Sequence, residues 1–142
     1  MSVEFFLDTN ILVYVVDVAD RKRQARARDL VTTVLADGTA CISWQVAQEF
    51  LNVVTSKLRP VVPVDLARQY LEEILLPMCT IWPSDEVYRS ALAIKASHRL
   101  HFYDCLIVAS ALSGGCTTLL SEDMQNGQRF GGLAIRNPFD GH

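Results

Sequence analysis

The strongest constraint on the fold is the alternation of short apolar segments with longer segments of helical periodicity. In 21–35, for example, Ala27, Val31 and Val34 recur at the spacing of one helix face. The predicted strands cover 3–7, 39–43, 78–82, 116–120 and 133–136, and the predicted helices cover 21–35, 45–58, 65–76, 84–98 and 103–113. Strands that alternate with helices predict an α/β fold, with a mostly parallel central sheet of about five strands and helices on both faces.

Length and composition fit one domain that spans residues 1–142. The chain is too short for two ordinary domains, and its 50% of hydrophobic residues can build a substantial core. No apolar run approaches the roughly 18 residues that cross a bilayer, and the N-terminus lacks a basic signal segment, so we expect no membrane partner. The four cysteines form no C-x-x-C pair and are expected to be buried free thiols, which favours a cytoplasmic location.

The overall charge excludes a strongly basic nucleic-acid binder. The net charge is −3, so a protein of this composition that handled nucleic acid would need another means of holding phosphates. The only basic run, 21–28, holds five of the thirteen lysines and arginines. We interpret it as a solvated helix face, with a phosphate-binding patch as the alternative.

Four acidic residues stand apart because each lies where the chain crosses one edge of the predicted sheet. Asp8 ends the first strand, and Glu49 lies in the second turn of the helix after the second strand. Asp104 opens the nearly all-apolar helix before the fourth strand, and Asp123 follows that strand. Ligands of parallel α/β sheets bind at this edge. Each acid alone could be a turn, cap or surface residue, so the prediction of a site depends on the set.

A cluster of carboxylates predicts a bound divalent cation. Four neighbouring carboxylates repel one another, and without a cation some of them would be protonated. Ligand sets made of oxygen alone select Mg²⁺ or Mn²⁺ rather than zinc. Such an ion also binds phosphate oxygens and would therefore join an acidic protein to an anionic substrate.

Four segments resemble the motifs of PIN-domain nucleases, in the same order and over essentially the whole chain. They are 3–10 (VEFFLDTN), 48–50 (QEF), 102–109 (FYDCLIVA) and 120–124 (LSEDM). The compact single-domain form resembles the VapC-type toxins of bacterial toxin–antitoxin pairs. The resemblance implies an endoribonuclease that depends on Mg²⁺ or Mn²⁺ and cleaves RNA with metal-activated water. It also implies a cognate antitoxin as partner and a homodimer.

The resemblance also assigns roles to individual residues. The catalytic and metal-binding acids would be Asp8, Glu49, Asp104 and Asp123, with Asp8 and Asp104 holding the principal ion. The hydroxyls of Thr9 and Ser121 would order this cluster, and Asn10 would support it. Glu122 lies next to Asp123 and is a second candidate for the fourth acid, and motif position favours Asp123.

Two other functions remain open from the sequence. One is a catalytically silent RNA- or protein-binding module on the same scaffold, and the other is a DNA or flap nuclease. A phosphate-receiving signalling domain is rejected, because the third strand ends in Ile81-Trp82-Pro83 without a phosphoacceptor aspartate. Trp44 and Trp82 each follow a strand, and we expect them to pack in the core or at its rim rather than to stack on bases.

Overall fold

The computed structural model describes residues 2–140 and confirms the α/β class. The predicted domain also includes residues 1, 141 and 142, which lie outside this range. The strands are β1 Phe5–Leu7, β2 Ala40–Ser43, β3 Cys79–Ile81, β4 Thr118–Leu120, β5 Arg129–Phe130 and β6 Leu133–Arg136. The helices are α1 Thr9–Val16, α2 Arg21–Asp37, α3 Trp44–Asn52, α4 Val64–Tyr70, α5 Leu76–Met78, α6 Asp85–Ser97 and α7 Phe102–Ser113. Two π-helical turns extend α3 and α4, Val53–Lys57 and Leu71–Leu75.

The strands form one sheet in the order β3-β2-β1-β4-β6-β5, and β1 occupies a central position. All neighbouring pairs are parallel except β5 and β6. Phe5 of β1 lies beside Ala40 on one side and Thr118 on the other. This register aligns the ends of β1 and β4, where the Asp8 amide donates to the Leu120 carbonyl at 2.9 Å.

Helix caps set the points at which α3 and α6 leave the sheet. The Ser43 hydroxyl accepts from the Val46 amide at 3.4 Å, so α3 begins directly after β2. The Ser84 hydroxyl accepts from the Val87 amide at 3.2 Å and caps α6 in the same way. Such caps satisfy amides that have no partner within the helix. They place the N-termini of both helices at the edge where β2 and β3 end.

The core lies on both faces of the sheet. Phe6, Leu7, Ile42, Leu119 and Leu120 are fully buried. Helix α7 is buried from position 105 to position 111, which explains its nearly continuous apolar sequence. All four cysteines are buried free thiols, as the sequence predicted. Among residues 2–140, every helix is too short or too polar to cross a bilayer.

Three local predictions need correction. The expected sheet of about five strands has a sixth, β5, whose two residues are too few to show an alternating pattern. Helix α1 begins directly after β1 with Asp8 as its N-cap, whereas the sequence offered a helix capped by Asp8 only as an alternative. The helix expected to stop at Pro77 continues to Met78, since proline is tolerated in a first helical turn, where no amide donor is needed.

Candidate active site

Asp8 is the buried centre of a hydrogen-bond network at the end of β1. One carboxylate oxygen, Oδ1, accepts from the Thr9 amide at 2.8 Å, and Oδ2 accepts from the Ser121 hydroxyl at 2.7 Å. The side-chain amide of Asn10 lies 3.4 Å from Oδ2. Only 6% of the Asp8 surface is exposed. These contacts join the start of α1 to the segment after β4 and hold Asp8 in one position.

Glu49 and Asp123 are tied to the same short segment of chain. The Thr9 hydroxyl donates to Glu49 Oε1 at 2.8 Å, and Asn10 Nδ2 donates to Asp123 Oδ2 at 3.0 Å. The Asp123 amide donates to the Ser121 hydroxyl at 3.2 Å. Three acids that are far apart in sequence therefore converge on consecutive residues at the start of α1.

Asp104 lies in the first turn of α7 and is half-buried. Burial raises the pKa of Asp104, the interaction with His101 lowers it, and the negative charge of Asp123 raises it. Asp104 is therefore within electrostatic range of Asp123, although no direct hydrogen bond links it to the network of Asp8. Hydrogen bonds thus bring three of the four predicted acids together, and Asp104 is linked to them only through the charge of Asp123.

The pKa of Asp8 reflects the cost of placing a negative charge here. The pKa of Asp8 is raised from 3.8 to about 6, mainly by burial and to a lesser extent by the charges of Asp123 and Glu49. The hydrogen bonds from Ser121 and Thr9 oppose this rise, because they favour the ionised form. A positive charge beside these carboxylates would relieve the repulsion and keep Asp8 ionised at neutral pH.

The donor atoms of the cluster suit a hard divalent cation. The four side chains offer carboxylate oxygens alone, the chemistry that Mg²⁺ and Mn²⁺ prefer. In the part of the chain from 2 to 140, no three acidic, histidine or cysteine side chains are arranged as a complete ligand set. Binding of a cation would therefore draw the carboxylates closer together. Asp123 is exposed and Glu49 and Asp104 are half-buried, so they have more freedom to move than Asp8.

A cleft of about 440 Å³ runs along this cluster and is lined by Thr9, Asn10, Glu49 and Asp123. Lys57 also lines it and supplies a positive charge beside the acids. The sequence did not point to Lys57, because the π-helical turn Val53–Lys57 changes the helical phase after α3. The cleft therefore combines carboxylates with a cation that could contact a phosphate.

Glu122 and Asp123 point to different surroundings. Glu122 accepts from the Tyr14 hydroxyl at 2.6 Å and from Arg23 Nε at 2.7 Å, while Asp123 lines the cleft. Burial and the hydrogen bond to Glu122 raise the pKa of Tyr14 to about 12. Arg23 also pairs with Asp20 at 3.1 Å. Glu122 thus holds the loop after β4 against α1 and α2, and Asp123 is the acid of the two that faces the cleft.

The basic run of α2 is more than a solvated face. Besides Arg23, Arg26 Nε donates to the Pro138 carbonyl at 3.2 Å and Arg28 Nε donates to the Val15 carbonyl at 2.9 Å. Arg21 and Lys22 are exposed. Three of the five cations in this run therefore hold α2 against neighbouring segments, which the sequence pattern did not show.

The family is shown by a direct match. The PIN domain family model matches residues 5–126, so the chain belongs to the PIN domain family, as its motifs predicted. This match covers all four acids at the sheet edge. No curated protein sequence matches the chain.

Solved structures share the fold along nearly the whole chain. A toxin–antitoxin complex from Klebsiella pneumoniae contains a chain with a TM-score of 0.68 and 16% identity, over 96% of this chain and 98% of that one. A chain of a DNA-bound VapBC from Salmonella typhimurium has a TM-score of 0.69 and 17% identity, over 96% of this chain and 98% of that one. Mycobacterium tuberculosis VapC20, a sarcin–ricin loop cleaving toxin, has a TM-score of 0.62 and 12% identity, over 84% of this chain and 92% of that one. At these identities the likeness establishes the fold.

Proposed function

We propose that the protein is an endoribonuclease that depends on Mg²⁺ or Mn²⁺ and acts as the toxin of a type II toxin–antitoxin pair. The observation that carries the proposal is the convergence of Asp8, Glu49 and Asp123 on one segment, with the charge of Asp123 also acting on Asp104. Support for RNA as the substrate comes from VapC20, a structural neighbour that cleaves the sarcin–ricin loop.

The four carboxylates would hold the cation, with Asp8 and Asp104 as the principal ligands and Glu49 and Asp123 completing the site. When bound, such an ion polarises a phosphodiester and makes water a nucleophile at neutral pH. The protein's own hydroxyl groups would orient the carboxylates that hold the cation. The Ser121 hydroxyl holds Asp8, and the Thr9 hydroxyl holds Glu49.

Substrate binding would use the few positive and polar groups along the cleft. Asn10 holds Asp123 at the wall of the cleft, and Lys57 lies where it can contact a backbone phosphate. Because the protein carries a net charge of −3, local contacts of this kind must replace a general electrostatic attraction to RNA. No side chain is needed as the nucleophile, since the bound cation would supply the attacking water.

The proposal includes protein partners and a location. Structural neighbours are parts of toxin–antitoxin complexes, which supports a cognate antitoxin as partner. A homodimer follows from the family resemblance. Four free buried thiols fit a reducing compartment, and we therefore place the protein in the cytoplasm.

The proposal is tested by incubating the purified protein with mixed single-stranded RNA in Mn²⁺ and following the fragments on a gel. We expect cleavage that EDTA abolishes and that Asp104→Asn removes, because the variant loses a ligand of the principal ion. Asp29→Asn, an exposed acid on α2, is the matched control and should cleave normally.

The same assay separates the alternatives. Cleavage of a single-stranded or flap DNA in preference to RNA would favour a DNA nuclease. RNA binding without cleavage in Mg²⁺ or Mn²⁺ would favour a silent binding module. Full activity in both Asp8→Asn and Asp104→Asn would refute the assignment of the acids.

A further inference from the structure

A second cleft, of about 150 Å³, lies beyond the ends of β2 and β3 and is separate from the acidic cluster. We call it the aromatic pocket, and its ring-bearing residues are Trp44, Trp82, Tyr88 and Tyr103. They come from the start of α3, the end of β3, α6 and the first turn of α7. The nuclease site described above uses none of them.

The two tryptophan rings lie at the rim of the core, one of the two positions that the sequence favoured. Trp44 is 38% exposed and Trp82 is 55% exposed. Their ring centroids lie 5.0 Å apart, and the planes are tilted by 33°. Tyr88 and Tyr103 are more than half exposed. Four exposed rings around one cleft form an apolar patch of the kind that marks a binding site.

Polar groups in the same pocket add hydrogen-bonding capacity. The side chains of Gln45 and Gln48 line it, together with the hydroxyl of Ser84. Gln45 Nε2 donates to the backbone carbonyl of Tyr103 at 3.3 Å, which ties α3 to the first turn of α7. No lysine or arginine is among the residues that line this pocket, so its chemistry suits a flat, uncharged, polar-edged ligand rather than a phosphate.

The aromatic pocket and the acidic cluster are separate, but they are built from neighbouring residues of α3 and α7. Tyr103 directly precedes Asp104, and Gln48 directly precedes Glu49. A nucleic acid with a phosphate at the acids would therefore carry a neighbouring base past the aromatic pocket. Unpaired bases in single-stranded RNA are recognised by stacking on aromatic side chains and by hydrogen bonds to their edges.

We propose that the aromatic pocket binds one unpaired nucleobase of the RNA substrate, next to the phosphate that is cleaved. This inference rests on the proposed nuclease function and adds a base-binding subsite to it. The base stacks on the exposed indole of Trp82, and Gln48 contacts its edge. Because every base has an aromatic face, stacking would tolerate different sequences, and the glutamine would add a preference among them.

The two tryptophans provide a direct signal, because they are the only ones in the chain and both line the pocket. The full chain is titrated in EDTA with short single-stranded oligoadenylate and oligouridylate, and with an abasic ribose-phosphate chain of equal length. We expect the base-bearing chains to quench the tryptophan fluorescence and the abasic chain to bind more weakly. Loss of one stacked base corresponds to about 5- to 150-fold in Kd.

Variants test the pocket itself. Trp82→Ala should weaken binding of the base-bearing chains by about 5- to 150-fold, and Trp82→Phe should retain most of the affinity, because phenylalanine still offers a ring face. Leu76→Ala removes an exposed apolar side chain outside the pocket and is the matched control. Trp82 is more than half exposed, so we expect Trp82→Ala to fold normally by circular dichroism.

The outcomes separate this inference from the proposed function. If Trp82→Ala binds and cleaves RNA like the wild type, the base subsite is refuted while the nuclease stands. If the wild type neither binds nor cleaves RNA, both are refuted. If Trp82→Ala changes the sedimentation from dimer to monomer but leaves the RNA affinity per protomer unchanged, the pocket is a protein interface and the inference is overturned.

Discussion

Replacing Asp8 by asparagine is expected to stabilise the metal-free protein while it removes the activity. Burial and neighbouring charges raise the pKa of Asp8 from 3.8 to about 6. One pKa unit corresponds to about 1.4 kcal/mol, so the ionised carboxylate of Asp8 costs about 3 kcal/mol of folding free energy at pH 7. Asparagine carries no charge and avoids this cost.

The contribution of Asp8 to folding stability depends on pH with a definite sign. The folded protein holds the proton of Asp8 more tightly than the unfolded chain does, because the pKa of Asp8 is higher in the folded state. Stability from this group is therefore fully present below pH 3.8, and it is lost as the pH rises through about 6. The difference in unfolding free energy between Asp8→Asn and the wild type should be largest at pH 7 and small near pH 4.

The hydrogen bonds of Asp8 lower the gain in stability that is expected from Asp8→Asn. The asparagine carbonyl can still accept from the Thr9 amide, but its NH₂ group would replace the oxygen that accepts from the Ser121 hydroxyl at 2.7 Å. The hydroxyl can turn and accept instead, at the cost of one charge-assisted hydrogen bond. We therefore expect Asp8→Asn to raise the free energy of unfolding by about 1 to 2 kcal/mol at pH 7 in EDTA.

Urea unfolding in EDTA at pH 7 and pH 4.5 measures this effect, and Asp29→Asn on the exposed face of α2 is the control. Saturating Mg²⁺ should stabilise the wild type, by about 2.7 kcal/mol at 100 times the dissociation constant, and should have little effect on Asp8→Asn. A destabilised Asp8→Asn protein in EDTA at pH 7 would refute the view that carboxylate repulsion and burial dominate at this site.

Two further predictions concern residues that line the cleft or support it. Asp123→Asn should weaken Mn²⁺ binding in calorimetry, whereas Glu122→Gln should leave it nearly unchanged and lower the Tm, because Arg23 loses one of its two charged partners. Equal losses of metal affinity in both variants would contradict the orientation of the loop. Lys57→Ala should weaken RNA binding evenly across sequences and reduce the slope of log Kd against log salt by about 1. Lys22→Ala, at an exposed position on α2, is the control and should change neither quantity. An unchanged slope for Lys57→Ala would exclude a contact between Lys57 and phosphate.

Much of the candidate site could be predicted because its signals are local. Asp8 stands between a strand and a helix, Asp104 opens the apolar helix α7, and the apolar pattern beside each of them identifies these positions. The edge shared by strand ends and helix starts then follows from parallel topology. Whether Asp8, Glu49, Asp104 and Asp123 bind a metal stays a prediction.

The chain alone determined the main alternation of strands and helices, without α1 and β5, and it singled out the four acids, because periodicity and caps act within a few residues of sequence. Only the tertiary structure decided that Glu122 turns to Arg23, 99 residues away, while Asp123 faces the cleft. It also brought the rings of Trp44 and Trp82 together at the surface. Contacts between distant residues depend on how packed elements are aligned, and no local pattern encodes that alignment.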